Sequence, residues 1–483
     1  MRVLLISTAF FLSGCLSNSS DTDTQPIEGN EREGEAISSN YVTSRDLITP
    51  DYSGGAPVKG ESRIDPITGV RITRLTDVSE LEGTDDALIV YSRYSPENTS
   101  GEYFLTFGSN STTSWVVERE SGDVISKLET IQEKDLGEAH EVRWDSSGNF
   151  ANRIYYRYGM EFWMIEDVSS DEIQHTLIRD FSEDFPNSVK IYNDVEGDSS
   201  NDSDHWAFMA VHYGENFLGM ETFLVDAFVH YQVSTDTLHS LKPSDLAGTN
   251  LDLEKDSAFF KFRPNMVEVS PLGTGIVIHY GRKPGNSEWY GDWAGSWFDG
   301  AHLWPLDFNH EAQAPVKISV GETHSGWSFD EAGREMFISQ NDRTDQLDAI
   351  YIEGENSGYD NRLEIISHGD MGWSNNFHYG KMPASKKGWA FINTYSHTGN
   401  ASHNGDWGAD QFLMVQIKDK AQQPMVWRIA PNYNLYDGEY RDEAPAAINY
   451  LGNRIYVTTN WGGELINREV FVFELPQDWD SHF

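Results

Sequence analysis

The chain has 483 residues, one cysteine, and 77 acidic against 35 basic side chains, for a net charge of −42. So acidic a surface repels nucleic acid and anionic lipid, and it suits a protein kept soluble in salty surroundings. A lone cysteine excludes an intrachain disulfide framework, so the core must hold by burial alone.

In chain order, residues 1–14 read as a bacterial export signal. Arg2 precedes an apolar run from Val3 to Leu12, and Leu12-Ser13-Gly14-Cys15 has the form of a lipoprotein box. Cys15 is then the lipidation site, and Leu16 after it fits sorting to the outer membrane. The expected location is an exported lipoprotein at the outer membrane or cell surface, or a secreted protein if Cys15 is not acylated. Residues 15–40 are rich in Ser, Asn, Asp, Glu and Gly and read as a disordered tether. Residues 41–483 read as one β-rich domain, a monomer, with no further stretch able to span a bilayer as a helix.

Within that domain a small pattern returns. Polar turns occur at Ser95-Pro96-Glu97-Asn98, Asp145-Ser146-Ser147-Gly148, Asn201-Asp202-Ser203-Asp204, Ser270-Pro271-Leu272-Gly273, Asp330-Glu331-Ala332-Gly333, Pro383-Ala384-Ser385 and Leu451-Gly452-Asn453. After five of them an apolar strand ends in an aromatic-Gly pair: Phe107-Gly108, Tyr158-Gly159, Tyr213-Gly214, Tyr280-Gly281 and Trp461-Gly462. Short-strand repeats roughly 50 to 70 residues apart predict the blades of a seven-bladed all-β propeller. Inner strands are expected to start near Ile89, His140, Ile191, Arg263, Thr323, Asn376 and Ala444. The alternating segment Val70–Leu75 is expected to join the last blade and close the ring.

A propeller gathers the starts of its inner strands at one mouth of the channel. There the reading places Arg93, His140, Tyr192 to Asp194, Arg263 with Asn265, His324, Asn376 with His378, and Glu443. Such a ring either satisfies a water-filled channel or binds a ligand. His140 can serve as a base near neutral pH or as a structural imidazole. Arg263, held extended by Pro264, can grip a carboxylate with two parallel bonds or make an ion pair between blades. Tyr158 can exchange a proton or simply pack in its turn. The acids Asp194, Glu196, Asp198, Asp202 and Asp204 offer hard oxygen ligands for a structural Ca²⁺, or form a solvated hairpin. No spacing among His397, His403 and Asp406 is diagnostic of a metal.

His140-Glu-Val-Arg-Trp-Asp, the hairpin Glu196-Gly-Asp-Ser-Ser-Asn-Asp-Ser-Asp-His-Trp, Arg263 before a strand, and the export signal together resemble the ulvan lyases. More narrowly they resemble the short, seven-bladed type grouped as polysaccharide lyase family 24. The resemblance implies β-elimination at the uronic acid of a sulfated green-algal polysaccharide, leaving a C4–C5 unsaturated end. It implies His140 as the base and Arg263 as the group that neutralises the carboxylate. Hairpin geometry selects Tyr158 as the acid, with Tyr213 and Tyr280 behind it. Arg93, Tyr213, Tyr280, Arg282, His324, Asn376 and His378 would hold sulfate, carboxylate and hydroxyl groups. Two alternatives stay open: a metal-dependent propeller like the oligogalacturonate lyases, and a lipid-anchored propeller that only binds glycan or protein.

Overall fold

The computed structural model describes residues 37–109, 113–128, 141–193, 196–215, 221–246, 264–280, 299–321, 324–341, 343–372, 375–396, 406–436, 438 and 440–483. They form seven antiparallel sheets, six of four strands and one of five, with two four-residue helices at Pro243–Leu246 and His368–Met371. This is a seven-bladed β-propeller. Among the described residues no helix is long and apolar enough to cross a membrane.

The first strands of the seven blades are Ala87–Leu88, Arg143–Trp144, Lys190–Tyr192, Met266–Val269, Ser325–Phe329, Asn375–Tyr379 and Ala446–Ile448. Each polar turn read from the sequence joins a first strand to a second. The strand starts fall within a few residues of expectation. Among the described residues the first strand of blade two begins at Arg143 and that of blade four at Met266, while His140 and Arg263 lie outside them. Ring closure takes the expected route: Arg71–Arg74 pairs with Glu469–Glu474 as the fourth strand of blade seven. Ser62–Ile64 adds a fifth strand beyond it.

The core follows from the pleat. Successive strand residues point to opposite faces of a sheet, so each blade offers one apolar face to each neighbour. The buried side chains accordingly divide into seven clusters, each between two adjacent blades. Met266, Val277 and Ala301 of blade four meet Trp327, Phe337 and Ile350 of blade five. Leu75, Ala87 and Phe104 meet Ala447, Tyr456 and Val470 across the closure.

Ion pairs supplement this burial. Arg454 Nη1 lies 2.6 Å from Glu97 Oε1 between blades seven and one, both side chains buried. Arg468 bridges Asp86 and Asp442 at 3.2 and 2.6 Å.

One blade departs from regularity. In blade one the register runs from Leu88↔Phe107 to Glu97↔Phe104, so nine steps of the inner strand face three of its partner. The surplus chain carries Arg93 into the channel. This corrects the expectation that Arg93 stands at the start of an inner strand.

Candidate functional site at the channel mouth

The channel is filled below its mouth by charged side chains. Arg93, 1 % exposed, donates from Nε to Glu196 O at 3.1 Å and from Nη1 to Ser325 Oγ at 2.5 Å. Its other donors meet Ser325 O and the Glu268 carboxylate, which also accepts from Trp327 Nε1 at 2.9 Å. Blades one, three, four and five therefore converge on one guanidinium. Burial pushes the Glu268 carboxyl up, while Arg93 opposes that shift. Lower down, Lys381 Nζ of blade six reaches across to Asp198 Oδ2 of blade three at 2.8 Å. Arg143 donates to Gly197 O at 2.7 Å and lies 3.5 Å from the centre of the Tyr94 ring.

Above this plug stand histidines. His324 and His378 lie with ring centroids 4.9 Å apart. His324 Nδ1 is 2.6 Å from Phe377 O. A carbonyl only accepts, so Nδ1 carries the proton and Nε2 keeps a lone pair. His378 stacks on Tyr395 at 4.7 Å and meets the edge of Tyr91 at 5.4 Å. Its Nε2 is 3.5 Å from Glu443 Oε2. His279 of blade four lies in electrostatic reach of Arg93 and His324. Both ring nitrogens of His279 and of His378 are buried without a hydrogen-bond partner. Leaving such groups unpaired costs about 1–3 kcal/mol each. Ordered water, a ligand or an ion can meet such groups. Glu196 completes the ring, with Oε1 3.2 Å from Asn265 Nδ2.

Burial lowers the imidazolium pKa of His378 to about 4 and of His279 to about 3, and lowers that of His324. All three rings are neutral at pH 7, which leaves them able to ligate a metal but makes them weak proton acceptors. His230 and His368 are likewise held at about 4, and His302 at about 3. Above the unfolded value of about 6.5 each of these rings is neutral in both states, and their full contribution to stability is present. Between about 6.5 and about 4 the unfolded chain takes up protons that the folded chain refuses, so stability falls as pH falls. Asp348, pushed up to about 6 by burial, opposes this over its own range. Six rings outweigh it. The melting temperature should therefore drop steadily from pH 6.5 to pH 4.5, and a melting temperature that holds or rises would contradict these environments.

The remaining predicted residues are distributed as follows. Tyr158 ends the second strand of blade two, beside Arg157, which pairs with Glu141. Asn376 lies on the first strand of blade six, two residues before His378. Tyr280 is buried, and burial pushes its hydroxyl well above the ordinary value, which removes it from proton exchange near neutral pH. Tyr213 is 71 % exposed on a projecting hairpin. His140, Arg263, Arg282, Asp194 and Cys15 lie outside the described residues.

The acidic cluster does not form one loop. Glu196 faces the channel histidines and Asp198 pairs with Lys381, whereas Asp202 and Asp204 sit at the turn on the opposite mouth. An extended chain advances about 3.3 Å per residue, so neighbours in sequence are spread along the channel. Among the described residues, only Asp202, Asp204 and His205 bring three ligand atoms within 4.8 Å of one another. His205 Nδ1 is 3.0 Å from His230 Nε2, which leaves Nε2 of His205 for an ion. This group is able to hold a divalent cation. A cavity of about 280 Å³ opens at the same lower mouth, lined by Ser95, Ser146, Asn201, Lys381 and Tyr450.

Sequence reasoning missed His279, Tyr91, Tyr395 and Glu268. His279 sits in Ile276-Val277-Ile278-His279-Tyr280, where one histidine in an apolar strand is the sole signal.

No protein-family model matches the chain, and no curated protein matches it. Solved structures do. An oligogalacturonate lyase from Vibrio parahaemolyticus superposes with a TM-score of 0.53 at 10% identity, over 87% of this chain and 97% of that one. An oligogalacturonate lyase in complex with manganese gives 0.50 at 10% identity, over 86% and 96%. At that identity the likeness defines the propeller architecture.

Proposed function

We propose that this chain is a polysaccharide lyase that cleaves ulvan by β-elimination at its uronic acid. The observation that carries the proposal is the ring of ionisable side chains at the channel mouth, where His324, His378 and Glu443 meet and where Glu141, the residue after His140, takes the Arg157 guanidinium. The resemblance to ulvan lyases supplies the reaction, and the propeller architecture shared with two lyases is compatible with it.

In this reading Arg263 pairs with the uronate carboxylate, and His140 takes the C5 proton. The released electron pair forms the C4–C5 double bond, the C4–O4 bond breaks, and Tyr158 gives its proton to O4. No water is consumed. The acidic surface repels the polymer, so binding depends on local cations and is eased by the screening of a saline medium.

A second reading has an observation of its own. Neutral imidazoles suit a transition metal, and His324 and His378 stand with ring centroids 4.9 Å apart at one mouth, although with His279 they do not bring three ligand atoms within 4.8 Å of one another. There a divalent cation would neutralise the carboxylate in place of Arg263, on an oligogalacturonate-type substrate. The lower group, Asp202, Asp204 and His205, would hold a structural ion, and its mixed oxygen and nitrogen donors favour Mn²⁺ or Zn²⁺ over Ca²⁺.

Absorbance from the new double bond, followed on ulvan and on polygalacturonate with and without chelator, separates the readings. Chelator-resistant cleavage of ulvan supports the first. Chelator-sensitive cleavage of polygalacturonate alone replaces it with the second.

A further inference from the structure

Blade three differs from the others above the channel mouth. Its second and third strands, His205–Glu215 and Glu221–Gln232, are 11 and 12 residues long, whereas the first strand beside them stops at Lys190–Tyr192. The register continues past Val211↔Val225 through His212↔Leu224 and Tyr213↔Phe223 to Glu215↔Glu221, so a two-stranded ribbon projects beyond the sheet.

A free ribbon is marginal in water unless something fixes it. One face of this ribbon is fixed. His212 Nδ1 is 2.8 Å from Asp226 Oδ1, and Ser188 Oγ is 2.6 Å from Asp226 Oδ2. On the same side Leu224 lies over Gly214, where an added Cβ would come within 2.6 Å of Leu224 Cδ1.

The other face carries rings. Tyr213 and Phe223 lie with centroids 4.3 Å apart, and Tyr213 is 71 % exposed. Lys190 Nζ lies 4.2 Å from the centre of Phe223 and 4.3 Å from that of Tyr192. The second strand of a blade ends at the same mouth where the first strands begin, so the ribbon projects on the side of the histidine mouth.

We propose that Tyr213, backed by Phe223 and Lys190, is a sugar-stacking subsite that holds the anionic polysaccharide away from the bond being cleaved. The inference rests on the polysaccharide reading above and deepens it. A pyranose ring has an apolar C–H face, which gains by packing on an aromatic plane as other apolar surfaces do. A pinned ribbon offers that plane already ordered, so little is lost on binding. Lys190 places an ammonium against the rings, while Glu215 and Glu221 lie further out on the same face, so the subsite works through the ring plane with Lys190 offsetting the acidic tip. The subsite assists binding and takes no part in proton transfer.

The test compares Tyr213→Leu, Tyr213→Trp and wild type on long ulvan and on a short ulvan fragment, with melting temperatures as a control. Leucine keeps an apolar partner for Phe223 but removes the plane. The expected result for Tyr213→Leu is a rise in KM of about tenfold on the long polymer and a much smaller one on the fragment. Tyr213→Trp should restore wild-type KM. An unchanged KM in a well-folded Tyr213→Leu variant overturns the proposal, as does an equal loss on both substrates. Gel electrophoresis through immobilised ulvan reads the same contact without turnover. Retardation that weakens in Tyr213→Leu would support the subsite even in a wild type inactive on ulvan, and inactivity would remove the lyase reading alone.

Discussion

Replacing His140 by alanine should lower kcat on ulvan by a factor of about 10²–10⁴ while the melting temperature stays that of the wild type. The magnitude is that of losing a positioned general base. The next residue in the chain, Glu141, stands at the channel mouth, where its carboxylate takes the Arg157 guanidinium and accepts from Asn193 N at 3.2 Å. Those bonds hold the start of blade two whatever residue occupies position 140, so the fold should survive the change. Loss should appear in kcat and in kcat/KM alike, because the proton moves only in the transition state. A variant with wild-type kcat would assign the base elsewhere. A variant that no longer folds would make His140 structural.

The second large effect concerns stability. Arg93→Ala should cost about 3–5 kcal/mol, the usual consequence of leaving one charge of a buried pair without its partner. Four blades meet on this guanidinium, and Glu268 is 1 % exposed beneath it. The double variant Arg93→Met with Glu268→Gln removes both charges and should recover much of the loss. Denaturant unfolding of the two variants checks this. If Arg93→Ala unfolds at the wild-type denaturant concentration, the pair is not what ties the blades together.

The fold was legible in the sequence because backbone demands wrote it there. Turns such as Ser270-Pro271-Leu272-Gly273 and pairs such as Phe107-Gly108 recur because each blade must reverse in the same places. The closing strand showed itself through the alternation of Val70–Leu75. The site was legible only in part. His324, His378 and Glu443 were readable as strand starts, and the structure brings them together. Arg93 was misplaced because nothing local announces the surplus chain between Leu88 and Glu97. The acids from Glu196 to Asp204 look like one cluster in sequence, yet the extended chain delivers them to opposite mouths. His279 escaped notice because its meaning lies in neighbours from other blades, which no local pattern encodes.

The most direct test of the account is the initial rate of absorbance increase when the purified protein meets purified ulvan in saline buffer containing chelator. The account predicts a steady rise from C4–C5 unsaturated uronyl ends, abolished in His140→Ala. No rise on ulvan, with or without added divalent metal, from a protein whose melting transition shows it folded, would contradict it.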